Sequence, residues 1–159
     1  MRKLWNRPDY AVWSLVTKDS SGFFNMNICS YVTAVSMKPK VMMVAVYHGT
    51  KTRDNIAADQ IVRLQLLAES QAPLIRLLGQ QSGRKIAKLA RLEKRGCLEY
   101  KDTIPYLTEA VGYLDLKVTS LLTVGLDHDL ALCEVVSHYN LSDESILTTT
   151  YLKEYKFTR

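Results

Sequence analysis

The chain has 159 residues, 47% of them hydrophobic and 23% charged, which excludes the disordered class and allows a core without staples or an obligatory metal. Three widely spaced cysteines, Cys29, Cys97 and Cys133, form no CxxC pair, so a disulfide framework or zinc knuckle is not expected and a reducing cytoplasm suits the chain. A net charge of +5 favours anionic ligands, and residues 1–159 read as a single domain.

The N-terminal MRKLWNRPDY carries charge without an apolar stretch, and the longest apolar run, Val41 to Tyr47, is far too short to span a bilayer. Neither export nor membrane insertion is therefore expected. Trp5 and Trp13 near this end, and Tyr151 and Tyr155 near the other, read as packing or dimer-contact residues. Tyr10 to Thr17, Ser30 to Ser36, Val41 to Tyr47 and Ile61 to Leu67 are short, rich in Val, Leu and Ile, and separated by polar or Gly-containing stretches, the pattern of strands.

Between the last two of these runs lie His48, Gly49, Thr50, Lys51, Thr52, Arg53 and Asn55. Hydroxyls, cations and a flexible glycine within one turn are what a phosphate monoester requires. Asp54 and Asn55 before Ile56 can also cap a short helix whose amides add to an anion site. On composition alone the stronger reading is a plain hydrophilic loop.

Helix is expected mainly in the middle. Pro73 opens a turn carrying Leu74, Ile75, Leu77 and Leu78, Ile86, Leu89 and Ala90 line one side of a basic segment, and Gly79 and Gly96 are the stops. Arg84, Lys85, Lys88, Arg91, Lys94 and Arg95 face only Glu93 there. This cluster is either a phosphate attractor or a solvated helix face; with no interleaved aromatics and no known module, nucleic acid is not the expected partner.

Cys97 to Glu109, with Pro105, reads as loop. From Tyr113 to Ser120 the apolar Leu114, Leu116 and Val118 alternate with Asp115, Lys117 and Thr119, as in a strand with one buried face. Leu130 to Tyr139 is its expected hairpin partner across the turn Gly125 to Asp129. Six strands or more and a small helical insertion make a mostly β chain, expected to close as an antiparallel barrel because closure removes exposed edges. No GxGxxG, Walker A, nucleophile elbow or HExxH pattern occurs, so dinucleotide folds, P-loop hydrolysis, serine hydrolysis and zincin chemistry lack motif support and no metal site is expected.

Four blocks in order resemble the flavin-reductase-like FMN-binding split barrels. Ser30, Tyr31, Val32, Thr33, Ala34, Val35, Ser36 and Pro39 are similar to the family segment that ends in Val-Ser followed shortly by proline. Thr50, Lys51, Thr52, Asn55 and Ile56 resemble its Ser/Thr-x-Thr loop with Asn-Ile after it. Ala110 to Val118, AVGYLDLKV, is similar to an alanine-containing entry into a strand reading YLEC-x-V, and Asp127, His128, Leu130, Glu134 and Val135 resemble GDH-x-L-x-x-G-E-V.

The resemblance implies a homodimeric split barrel with FMN near the subunit interface and NAD(P)H as electron donor; FAD or riboflavin would serve as alternative substrates. By that likeness Ser30 to Ser36 line the isoalloxazine and ribityl groups, while Thr50, Lys51 and Thr52, with Asn55, Arg84 and Lys85, hold the phosphate. His128 is the candidate catalytic residue, beside flavin and nicotinamide. The implied activity is an NAD(P)H-dependent flavin reductase feeding a partner oxygenase or other acceptor; the alternative is an electron-transfer or redox-sensing module without its own nicotinamide reaction. Leu126 stands where the family usually has the glycine of GDH, and Cys133 where a glycine often precedes Glu-Val; a larger residue beside the site can narrow the space over the flavin, so the resemblance leaves nicotinamide access open. Asp115 and Leu116 replace the usual Glu and Cys.

Overall fold

A computed structural model describes residues 3–4 and 7–157; Trp5, with its expected packing role, lies outside them. The chain is mostly β. Strands β1 (Trp13–Lys18), β2 (Phe24–Cys29), β3 (Val32–Met37), β4 (Lys40–Tyr47), β5 (Ile61–Leu66), β8 (Gly112–Leu122) and β9 (His128–Asn140) form one antiparallel sheet of order β2-β1-β5-β8-β9-β4-β3. All six expected strands are present within a few residues of their anticipated bounds, and the β8–β9 hairpin pairs as the alternation requires.

Two strands interrupt the segment expected to be loop. Leu98–Lys101 (β6) and Ile104–Leu107 (β7) form a separate two-stranded ribbon. Asp102 and Thr103 make its turn with φ of 51° and 66°, the left-handed pair that suits the twist of a tight hairpin. Pro105 is tolerated because a two-stranded ribbon leaves every other N–H unpaired.

β2 was likewise not anticipated as a strand, although Phe24, Met26 and Ile28 alternate with Asn25 and Asn27. That alternation sorts the faces: Phe24, Met26 and Ile28 pack on one core cluster, while Asn25 and Asn27 border a cleft.

The polar run after β4 is helical. Helix α1 (Lys51–Ala58) starts at Thr50, whose Oγ1 accepts from the Arg53 amide at 3.3 Å. Thr50 is therefore the cap, rather than Asp54 or Asn55, which lie inside the helix. Pro73 sits in a 3-10 turn, Glu69–Leu74, leading into the short α2 (Ile75–Leu78), capped at Gly79. Helix α3 (Lys88–Lys94) ends in a Schellman arrangement: Gly96 has φ 67°, its amide bonds to Glu93 O, and the Cys97 amide bonds to Leu92 O. A last helix, α4 (Thr149–Glu154), is capped by Thr148; Tyr151 stacks on Tyr155 with centroids 4.4 Å apart.

Two apolar cores lie on the two faces of the sheet. One joins Val16 and Met26 to Leu77, Leu78, Leu92 and Leu107, under the helices and ribbon. The other gathers Leu15, Val44, Val46, Val62, Leu64, Leu116, Val118 and Ala131 with Ile56 of α1. Because β1 and β4 lie apart in the strand order yet contribute to this second core, the sheet curls around it; bulges at Ala34/Ser36, Asp115/Leu116 and Val118/Ser120 supply curvature. No helix among the described residues is long and apolar enough to cross a membrane.

Candidate functional site

The curl brings β2, near one end of the strand order, against the C-terminal end of β4, near the other. Between them opens a cleft of about 490 Å³, within the range of small-molecule sites. One wall is Asn25 to Tyr31, the opposite wall Ala45, Tyr47 and the start of α1, and the third the loop Gly79 to Gly83 with Lys88 behind it. The helix start belongs here because Gly49, with φ 74°, turns the chain sharply after β4.

One end of the cleft is built for an anion. The first-turn amides of α1, those of Lys51 and Thr52, have no acceptor within the helix and lie at its positive end. Lys51 lines this end, its ammonium 3.1 Å from Asp19 Oδ2. Lys88 comes from the other side and is 5% exposed. Its Nζ donates to Leu78 O at 2.6 Å and Met26 O at 3.1 Å, and among the described residues no carboxylate is paired with it. Burial pushes the Lys88 pKa down to about 8. An ammonium held by two carbonyls keeps a third proton to donate and a charge to neutralise, which a phosphate would do.

The polar wall between is held in place from behind. Thr52 is buried, and its Oγ1 accepts from Asn25 Nδ2 at 3.2 Å. Asn27 Oδ1 is buried with no hydrogen-bond partner. An orphaned acceptor costs free energy unless a ligand donor meets it, and this one borders the cleft. The thiol of Cys29, also on this wall, is pushed up to about 12 by burial, so it is inert as a nucleophile.

Aromatic rings form the mouth. His128 begins β9 directly across from Tyr47, and its ring lies 5.1 Å from the Tyr47 ring and 5.7 Å from that of Tyr31. Its Nδ1 is 2.8 Å from Asp127 Oδ1. The next residue, Asp129, is fully buried and accepts from His48 Nε2 at 2.7 Å and Arg53 Nε at 2.9 Å. The His48 hydrogen bond first, then that of Arg53, holds its carboxyl below the usual range against the opposing effect of burial. Around this one buried carboxylate the network ties the residue after β4, α1 and β9 together next to the rings.

The cleft thus gathers Ser30, Tyr31, Thr50, Lys51, Thr52 and His128. Val32, Thr33, Ala34, Val35 and Ser36 continue along edge strand β3 and do not line it; Asn55 points into the fold, its Nδ2 donating to Thr17 Oγ1 at 3.0 Å. Arg84 and Lys85 border an adjoining cleft. Leu126 is exposed at the β8–β9 turn and Cys133 is buried in the sheet core, and neither lines the cleft. Asn25, Gln80 to Gly83 and the inward turn of Lys88 were missed by sequence reasoning. Lys88 looks like any member of a basic run; only its place beside Leu89 and Leu92 on α3 hints at burial.

Comparison with known proteins gives concordant findings. The family model described as a flavin reductase like domain matches residues 9–156. An FMN reductase (NADH), RutF, of Pantoea ananatis (strain LMG 20103) is 27% identical over 127 residues, covering 78% of this chain and 63% of that protein, so the chain spans less than two thirds of that relative's length. The NADH:FAD oxidoreductase SgcE6 of Streptomyces globisporus C-1027 superposes with a TM-score of 0.79 at 15% identity, over 92% of this chain and 85% of that one. The styrene monooxygenase flavin reductase SMOB of Pseudomonas putida S12 does so with a TM-score of 0.71 at 17% identity, over 89% and 86%.

Proposed function

We propose, from the premise that this chain belongs to the flavin reductase like domain family, that it binds FMN in the cleft and acts as an NAD(P)H-dependent flavin reductase. The observation that carries this reading is the joining of an anion-binding end, made by the α1 N-terminus, Lys51 and Lys88, to a wall with the orphaned Asn27 Oδ1. That donor and acceptor set fits a flavin mononucleotide, with its phosphate at one end and a polar ring edge at the other.

Flavin held there would supply the redox chemistry, as the acceptor for a reduced nicotinamide. The chain's own part is positional. Lys51, Lys88 and the α1 amides hold the phosphate, and Thr52 is fixed by Asn25 to face it. Ile28, Ala45 and Leu78 give the ring an apolar bed. Ser30 and Tyr31 contribute at the ring end, whereas Val32 to Ser36 act through the shape of β3. Tyr31, His128 and Tyr47 hold the nicotinamide against the ring, where alignment of two bound reactants supplies the catalysis. With Leu126 away from the cleft, the motive for an electron-transfer module without a nicotinamide reaction falls away.

The curled sheet, with β2 and β4 meeting at the cleft, supports a split-barrel reading. Exposed Val35 and Met37 on edge strand β3 support pairing of two copies. A partner oxygenase as consumer of the reduced flavin is the proposal that SMOB's name suggests. The deciding assay follows NADH and NADPH oxidation with and without added FMN. Flavin-dependent oxidation is expected; protein that neither binds FMN nor accelerates oxidation sinks the reading. Size measurement on the same preparation tests the dimer.

A further inference from the structure

Gly49, Thr50, Lys51 and Thr52 line the proposed phosphate end as one run of chain. His48 and Arg53 bracket that run, and both brackets fasten to the same carboxylate. His48 Nε2 lies 2.7 Å from Asp129 Oδ1, and Arg53 Nε donates to Asp129 Oδ2 at 2.9 Å. Thr123, in the turn before β9, adds a side-chain hydrogen bond to it. Asp129 is fully buried, whereas the His48 and Arg53 side chains are 40% and 35% exposed. None of the three lines the cleft.

Desolvating a carboxylate is unfavourable, and a buried ion pair seldom exceeds apolar packing in net stability; what such a group can fix is register. Here it fixes two points, one on each side of the turn from Gly49 to Thr52, so the turn is closed at its base on β9. Its cleft side is tied elsewhere: Lys51 pairs with Asp19, and Thr52 Oγ1 accepts from Asn25. Asp129 falls at the first variable position of the GDH-x-L block, so the family resemblance gives it no role. We infer that Asp129 is a positioning residue for the flavin phosphate: by holding His48 and Arg53 it sets where Lys51 and the first-turn amides of α1 point. This rests on the flavin reading of the cleft. The His48 amide also donates to Asp127 O at 3.0 Å. That backbone tie survives side-chain substitution, so loss of the carboxylate displaces the turn without releasing it.

Asp129→Ala separates this role from a through-space effect by sign. Removing a negative charge near the phosphate would tighten FMN binding if charge alone mattered, whereas loss of the two anchors weakens it. Titration is expected to show about tenfold weaker FMN binding, with riboflavin, which lacks the phosphate, within about twofold of the wild type. A general loss of structure would weaken both flavins alike. His48→Ala alters a half-exposed side chain outside both apolar cores. It should weaken FMN by about threefold, and it decides the matter where Asp129→Ala does not fold. Unchanged or tighter FMN binding in Asp129→Ala, or an equal loss of FMN and riboflavin, overturns the positioning role; with Asp129→Ala unfolded, unchanged FMN binding in His48→Ala does so. Wild type that binds neither flavin overturns the cleft reading instead, and titration with inorganic phosphate then tests the role. A loss of about tenfold in Asp129→Ala supports it, unchanged phosphate binding overturns it, and no phosphate binding by the wild type overturns both readings.

Discussion

Gly83 lies against the side-chain amide of Asn25 so closely that a Cβ on Gly83 would overlap Asn25 Oδ1. The amide cannot simply swing aside, since its Nδ2 donates to buried Thr52 Oγ1. A Gly83→Ala change must either push the Gly79 to Gly83 loop outward or break the Asn25–Thr52 bond, and both disturb the proposed phosphate end. Titration of FMN is expected to show about tenfold weaker binding, with the loss of thermal stability held to about 1 kcal/mol by the loop's exposure. Unchanged FMN affinity would show that this contact does not bear on the ligand.

Lys88 yields a pH prediction whose sign is fixed by its depressed pKa of about 8 against the ordinary 10.5. Below about pH 8 the folded chain pays to keep the ammonium buried; as pH rises towards 10.5 the folded form releases the proton before the unfolded one, so stability from this group rises. Urea unfolding of the wild type is expected to gain about 2 kcal/mol over Lys88→Met between about pH 7.5 and about pH 10. Bound phosphate reverses the preference and favours the ammonium, so FMN affinity should fall over the same interval, and riboflavin affinity should not. In Lys88→Met the pH dependence of FMN binding should disappear.

His128 is held between Tyr31 and Tyr47 with Nδ1 against Asp127. If these rings position the nicotinamide, His128→Ala should lower kcat/KM for NADH by about 10- to 100-fold and leave the FMN dissociation constant within about twofold. Leu126→Gly, which restores the residue usual in the family, should change neither, because Leu126 is exposed and does not line the cleft. Steady-state kinetics with both variants separates these expectations.

The sequence disclosed β8 through its one buried face, where Leu116 and Val118 are buried and Lys117 and Thr119 exposed. It disclosed Thr50, Lys51 and Thr52 as one polar run and His128 through the family resemblance, and all four border one cleft. What it hid depends on the curl of the sheet. Asn25 becomes a cleft residue only because β2 meets β4, and Lys88 differs from Arg91 or Lys94 only by turning inward onto Met26 O and Leu78 O. The β6–β7 ribbon was hidden for another reason: Pro105 and the polar Glu99 and Lys101 mask its period, and what anchors it is the distant Arg63.

Arg63 is fully buried on β5 and supports that ribbon. Its Nε and Nη2 bond to Asp115 at 2.7 and 3.2 Å, and its Nη1 donates to Ile104 O at 2.7 Å. Its guanidinium carbon lies 4.2 Å from the Tyr113 ring centroid. Asp115 also accepts from Ser137 Oγ at 3.0 Å. This is the position where the family's Glu is replaced, and the shorter carboxylate receives the guanidinium in a fork across the β5–β8 pair. Removing the carboxylate leaves a buried cation without its counter-charge, so Asp115→Ala should destabilise the fold by about 3–5 kcal/mol. An Arg63→Met/Asp115→Leu double variant removes both charges and should recover most of that loss, since a buried pair contributes little net stability over apolar packing. Chemical denaturation of the three proteins decides the point: a double variant no more stable than Asp115→Ala would show that the hydrogen bonds to the ribbon carbonyls, rather than the uncompensated charge, hold this side of the fold. FMN affinity, measured alongside, should be unaffected in the double variant, because neither residue borders either cleft.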